Sequence, residues 1–254
     1  MLPVSSSGHL VLVPALLRWP YTELDGELRK SFEVALHAGT ALGLIVAMRR
    51  QVAEKAGELG PRGIVRLALM FAPAAAAGLA FERPIEERLG SPRGVAAAQV
   101  IAGACLWAAD RSAAGRAESD ARWSDALAIG AGQAAALIPG VSRGGATITT
   151  ARLRRFDRAA AGSLSRQAAL PIIAGATVLK GHRLSRRGLP RELRLPFAAG
   201  VVASLVATLA SARLAGVLEQ SGSLAPVGAY RIALGVFALA RLRGDSPHRV
   251  ESHR

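Results

Sequence analysis

The sequence predicts an all-α membrane protein, a polytopic helical bundle with two re-entrant helical hairpins in an inverted-topology repeat. Three observations carry that expectation. Hydrophobic residues make up 51% of the 254 residues, the mean hydropathy is +0.29, and charge is gathered in short clusters between long runs of Ala, Leu, Val, Ile and Gly. Two polar islands, Pro3-Val4-Ser5-Ser6-Ser7-Gly8-His9 and Pro139-Gly140-Val141-Ser142-Arg143-Gly144-Gly145-Ala146-Thr147, interrupt the apolar background. Each breaks an apolar run with Pro and Gly and then places hydroxyls and one ionisable side chain at the start of a helix-like stretch, which is how a membrane protein builds an anion site.

The first island runs into a short apolar stretch over 10–17, the return half of a hairpin whose inbound half is missing. Runs of roughly 17 to 22 apolar residues bounded by charge mark membrane spans. They fall at 32–48, 64–81, 94–109, 159–179, 195–212 and 226–240, of which 94–109 and 226–240 are short of that length with ill-defined ends. Between the third and fourth, 125–138 is apolar but too short to cross and ends at Pro139-Gly140, and 146–153 follows before Arg154-Arg155. Helix, turn at membrane depth and helix back to the same side is the economical description.

If each hairpin is followed by three spans, an odd number of crossings starts the second unit on the opposite face from the first. The chain then forms one integral membrane domain over 1–254. Residues 1–110 are its first repeat, lacking the inbound half-helix, and 111–254 its second, with the two tips meeting near the midplane. An irregular bundle with two kinked helices is the plainer alternative. Lys and Arg do not orient the bundle, because both sets of loops are basic.

The net charge of +14 and pI near 11.5 raise nucleic acid as a partner, but aromatics are only 4% and the basic residues flank apolar segments instead of forming a stripe. Anionic headgroups of membrane lipids explain the charge better. Cys105 stands alone in an apolar segment, so no intramolecular disulfide forms. No signal peptide is visible at the N-terminus.

The islands hold the residues able to do chemistry. Gly140, Gly144 and Gly145 let the backbone approach a ligand, and a helix starting there aims free N–H groups at it. Arg143 supplies a planar fork suited to bidentate phosphate contact, and Thr147 lies one turn further on. An arginine at membrane depth costs about 2.5 to 3.5 kcal/mol on insertion scales, which argues for ligand binding over a bland role. In the first island, His9 is spaced i, i+4 from Ser5 and i, i+3 from Ser6. A hydroxyl beside an imidazole makes a nucleophile, or the His serves as acid or base. The plainer reading is that Ser5 caps a helix over 6–17 and His9 packs. Glu33 with His37, Arg166 and Arg231 are weaker signals, each able to line a cavity or pair across the bundle.

With these residues in view, the chain closely resembles the bacitracin-resistance family of undecaprenyl-pyrophosphate phosphatases. The resemblance rests on Leu2-Pro3-Val4-Ser5-Ser6-Ser7-Gly8-His9, Phe32-Glu33-Val34, His37-Ala38-Gly39-Thr40, Pro139-Gly140-Val141-Ser142-Arg143, Ala146-Thr147 and Tyr230-Arg231, and spans nearly the whole chain. It implies a multi-pass enzyme of the bacterial inner membrane that hydrolyses undecaprenyl diphosphate to the monophosphate and inorganic phosphate, recycling the lipid carrier for cell-wall synthesis and conferring bacitracin resistance. It implies Ser6 as nucleophile, His9 as its assistant, and Ser142, Arg143 and Thr147 as the pyrophosphate-binding set. Arg143 is placed with the catalytic residues, and Ser5, Gly144 and Gly145 with those that bind substrate. The expected partners are a polyprenyl diphosphate and membrane lipids, with no nucleic acid and with room for a homodimer.

Two departures stand out. Gly144 lies where many members carry a second serine. The family's acidic Glu/Gln-x-x-x-Glu motif, linked to a divalent cation such as Mg2+ or Ca2+, belongs immediately before Leu2-Pro3, where this chain has Met1, and no metal ligands are identifiable elsewhere at that spacing. The expectation is a functional chain beginning upstream. The alternative is a membrane carrier, or an impaired homologue that binds a polyprenyl phosphate without hydrolysing it.

Overall fold

The computed structural model describes residues 2–23, 26–57, 60–169, 191–220 and 223–242, together with Pro171 and His182. Helix α1 (Ser6–Leu17) and a 3-10 turn (Pro20–Glu23) lead into α2 (Gly26–Gly57), α3 (Pro61–Leu89) and α4 (Pro92–Asp110). A second 3-10 turn (Glu118–Asp120) precedes α5 (Trp123–Ala135) and α6 (Arg143–Leu153), then α7 over 158–169, α8 (Arg191–Gln220) and α9 (Ala225–Arg241). The described residues contain no strand; Arg116 and Phe156 form an isolated bridge.

Every expected span falls on a helix, although the part of 159–179 beyond 169 lies outside the described residues, Pro171 apart. Among the described residues two stretches, Pro61–Phe81 and Leu193–Ser211, are long and apolar enough to cross a bilayer alone; Ser6–Leu17 and Ala35–Ala47 are shorter apolar helices. Only 11% and 17% of the two long stretches is buried inside the molecule. Leu79 and Leu195 stand 92% and 80% exposed, so these faces need an apolar surrounding that water does not supply. The helix ends are less faithful to the sequence reading. Helix α6 starts at Arg143, not at 146, because Ser142 caps it, and α5 stops at Ala135, the chain turning through 136–142.

Small residues set the packing, as expected where backbones approach closely in an apolar solvent. Helix α2 lies along α8 with Gly39 against the Val201 carbonyl and Gly43 against Thr208, while Thr40 and Ser204 share a hydroxyl bond of 2.7 Å. Helices α4 and α9 pack through Gly103, Gly228 and Gly235. Gly130 of α5 sits under the carbonyls of Leu69 and Met70, and the Gln133 amide donates to the Met70 carbonyl at 3.0 Å, fixing α5 to α3. Among the described residues the buried apolar side chains form two clusters. One gathers Met70, Leu106, Ile129, Phe156 and Leu164, and the other gathers Leu12, Val95 and Leu242 around α1.

Two buried carboxylates tie one end of the bundle. Asp125, at the start of α5, accepts from Arg116 and from Arg154 just past the end of α6, both at 2.7 Å, and from the Arg122 N–H at 2.9 Å. Helices α5 and α6 therefore form a hairpin closed at its base. Burial opposes ionisation of Asp125, but those three hydrogen bonds outweigh it and hold its carboxyl down at about 2. Asp110, at the end of α4, accepts from Arg158 at 2.7 Å and from the Leu224 N–H at 2.8 Å, joining the starts of α7 and α9 to the same end. At the other end Arg93 donates through Nε to the Leu242 carbonyl at 2.9 Å.

Candidate active site at two helix N-termini

The two polar islands fold alike. Ser5 is the N-cap of α1 and Ser142 the N-cap of α6, and each hydroxyl accepts the N–H of the residue three further on, Gly8 and Gly145, at 3.2 Å. Both serines hold left-handed backbone, φ 72° and 70°, a region that non-glycine residues seldom occupy and that recurs at functional sites. The first helical residue after each cap is then Ser6 in one island and Arg143 in the other. A short helix N-terminus leaves its first N–H groups without intrahelical acceptors. The N–H groups of Ser6, Ser7 and Gly144 meet no acceptor among the described residues.

The islands are also in contact. An added Cβ on Gly144 would lie 4.0 Å from Pro3 Cβ, its nearest neighbour. Arg231, wholly buried on α9, joins them: its guanidinium donates to the Pro3 carbonyl at 3.3 Å and to the Gly140 and Val141 carbonyls at 2.8 Å each. Its Nε donates to Gln99 Oε1 at 2.8 Å, and the Gln99 amide donates to the Val4 carbonyl at 3.1 Å. The two side chains press on equivalent glycines, Gln99 on Gly8 and Arg231 on Gly145. Gly140 is required on two counts, since its φ is 98° and a Cβ would lie 2.6 Å from the Val95 carbonyl.

The expected site residues divide by what their side chains do. Ser6 is exposed at its helix tip, and Arg143 is half-buried at the other, with one guanidinium N–H on the Ala169 carbonyl at 2.9 Å. Ser5 and Ser142 are engaged as caps, which is the plainer reading of Ser5; Ser5 Oγ also meets Ser7 Oγ at 3.3 Å. Thr147 is wholly buried. Its hydroxyl bonds the Arg143 carbonyl at 2.9 Å and Ser165 at 2.6 Å, so it braces the first turn of α6 from within the protein.

His9 is held at both nitrogens. Nδ1 lies 2.8 Å from the Ser5 carbonyl and Nε2 lies 2.6 Å from the Tyr230 hydroxyl, the two rings stacked at 5.7 Å between centroids. Neither nitrogen is bonded to Ser6. Glu33 and His37 pair elsewhere, on α2: Tyr21 donates to Glu33 at 3.4 Å, and His37 Nδ1 lies 2.6 Å from the Glu33 carbonyl.

Sequence reasoning named Arg231 as an ionisable residue interrupting a span and, with Tyr230, as part of the family resemblance, without giving either a role, and it missed Gln99. The signal available was a pair of glycines, Gly8 and Gly145, at the same offset after a serine, each asking what lies against it. No three His, Cys, Asp or Glu side chains gather anywhere among the described residues.

Fold and site together define a helical membrane protein that brings two capped helix N-termini, one with a serine and one with an arginine, to a common point. That point suits an anion. The chain belongs to the bacitracin resistance protein BacA family, whose pattern matches residues 1–237. It is 39% identical to the undecaprenyl-diphosphatase of Geobacter sulfurreducens over 95% of this chain and 93% of that one. It is 37% identical to the undecaprenyl-diphosphatase of Trichlorobacter lovleyi (95% and 92% covered) and 34% identical to that of Pseudomonas paraeruginosa (94% and 87%).

Proposed function

We propose that this protein hydrolyses undecaprenyl diphosphate to undecaprenyl phosphate and inorganic phosphate at the meeting point of α1 and α6. In the cell this activity returns the lipid carrier to cell-wall synthesis and confers bacitracin resistance. The observation that carries the reading is the pairing of Ser6 with Arg143 at equivalent positions of two joined, capped helix tips. Family membership and relatives with that activity in their names support it.

Arg143 and the N–H groups of the two tips bind the diphosphate. The Ser6 hydroxyl attacks the terminal phosphorus, the bond to the bridging oxygen breaks, and the lipid monophosphate leaves. The Ser6 proton passes to His9 Nε2; a water then attacks the phosphoserine, the P–O bond to Ser6 breaks, Nε2 returns its proton to the Ser6 oxygen, and phosphate leaves with both hydrogens of the water. Ser142 and Thr147 act by shaping the α6 tip, Ser5 by shaping that of α1, Gly144 by leaving the backbone open to the ligand, and Gly145 by leaving room for Arg231 beneath the tip.

The resemblance also implies Mg2+ or Ca2+. Those ions take several oxygen ligands, carboxylates above all. The described residues at the tips offer hydroxyls, an arginine and a histidine engaged at both nitrogens, which do not fit such an ion, and no step above runs through one.

The same reading takes the α5–α6 hairpin and the island leading into α1 as re-entrant, and 1–110 and 111–254 as inverted repeats of one multi-pass domain in the bacterial inner membrane. A homodimer is compatible with it. Phosphate release from undecaprenyl diphosphate by the purified protein in detergent tests the activity, with Ser6→Ala inactive. Binding of the lipid without release would favour a carrier, and substantial turnover by Ser6→Ala would make an activated water the attacking group.

A further inference from the structure

We propose that Tyr230 is a positioning residue for His9, holding the imidazole as a base with its unprotonated nitrogen at the phosphate-binding tips. This rests on the hydrolysis proposed above. The backbone carbonyl of Ser5 can only accept, so His9 Nδ1, 2.8 Å away, carries the ring proton. In the neutral ring Nε2 is then a lone pair, and the Tyr230 hydroxyl 2.6 Å from it is the donor. The phenol ring lies only 12° from parallel with the imidazole, which fixes the ring plane as well as the bond.

Tyr230 gets its own position from its neighbour in sequence. Arg231 is buried and bonded to both islands, so α9 cannot turn without breaking those bonds, and the residue before Arg231 is delivered to the α1 tip. Tyr230 is 46% exposed, so its hydroxyl can swing aside when Nε2 takes the Ser6 proton.

Two variants separate the contributions. Tyr230→Phe keeps the stacked ring and removes the hydroxyl; Tyr230→Leu removes both. The expected result with undecaprenyl diphosphate in detergent is a fall in kcat on the order of tenfold for Tyr230→Phe with KM nearly unchanged, and a larger fall for Tyr230→Leu. In the protein labelled with 15N-histidine, His9 should show a protonated Nδ1 and an unprotonated, hydrogen-bonded Nε2, and Tyr230→Phe should move the Nε2 signal.

An unmoved Nε2 signal in Tyr230→Phe, or a kcat equal to that of the unaltered protein, overturns the assignment. A rise in KM with kcat unchanged also overturns it, making Tyr230 a substrate contact only. Failure of the unaltered protein to release phosphate would count against the hydrolysis itself, while the 15N signals would still decide whether Tyr230 holds the ring.

Discussion

Arg143 and Arg231 are both arginines in an apolar setting, yet their surroundings give them different work. Arg231 is wholly buried and spends its donors on Gln99 and on the carbonyls of Pro3, Gly140 and Val141. Arg143 stands half-buried at a helix tip, with one guanidinium N–H on the Ala169 carbonyl. Arg143→Lys should therefore keep the fold and lose catalysis, because an ammonium cannot reproduce a two-pronged phosphate contact. The expected cost is about 2 to 4 kcal/mol in kcat/KM, by analogy with removing a donor to developing charge. Arg231→Lys should lower thermal stability in detergent as well as activity, since one ammonium cannot reach all the carbonyls it leaves unpaired, at about 1–3 kcal/mol for each buried orphan. A melting temperature unchanged from that of the unaltered protein would show that the islands do not depend on Arg231.

At the scale of elements, the helices were legible and their fastenings were not. The first helix could be bounded at 6–17 because serine caps and an apolar run are local signals, and the α5–α6 turn announced itself through Pro139-Gly140. Asp125 and Asp110 gave no such signal, because what matters about them is which arginines the fold brings to them from 9 to 48 residues away. The same limit applies to His9, whose spacing from Ser5 and Ser6 was readable but whose partner Tyr230 lies 221 residues along the chain.

The Asp125 fastening carries a pH dependence. Its carboxyl is held at about 2 in the folded protein against an ordinary 3.8, so its stabilising contribution is fully present above the ordinary value and is lost as pH falls through the lower one. Asp125→Asn should open the base of the hairpin, lowering stability by on the order of 2 kcal/mol near neutral pH. It should also flatten the loss of stability between about pH 4 and pH 2. Thermal melts of both proteins across that range check this, and equal slopes would contradict it.

For the whole molecule, the polar fastenings sort the described loops into two ends, and that sorting gives the proposed inverted repeat a test. Asp110 brings together the end of α4 and the starts of α7 and α9, and Asp125 adds both outer ends of the α5–α6 hairpin. Gln167 bonds Glu118 at 2.6 Å and Arg66 at 3.4 Å, which adds the start of α3 to that end. Arg93 and Leu242 mark the opposite end, at the start of α4 and the finish of α9. If α2 crosses the bilayer it begins at that opposite end, so α1, just before it, returns there from the tips. The α5–α6 hairpin returns to the first end. That opposition is what an inverted repeat requires. With Cys105 replaced by alanine, single cysteines at Gly60, Gly115 and Arg155 should react with a membrane-impermeant thiol reagent from one face, and those at Arg18 and Glu87 from the other. Labelling of Arg18→Cys and Arg155→Cys from the same face would place both tips on one side of the membrane, and the inverted arrangement would fall.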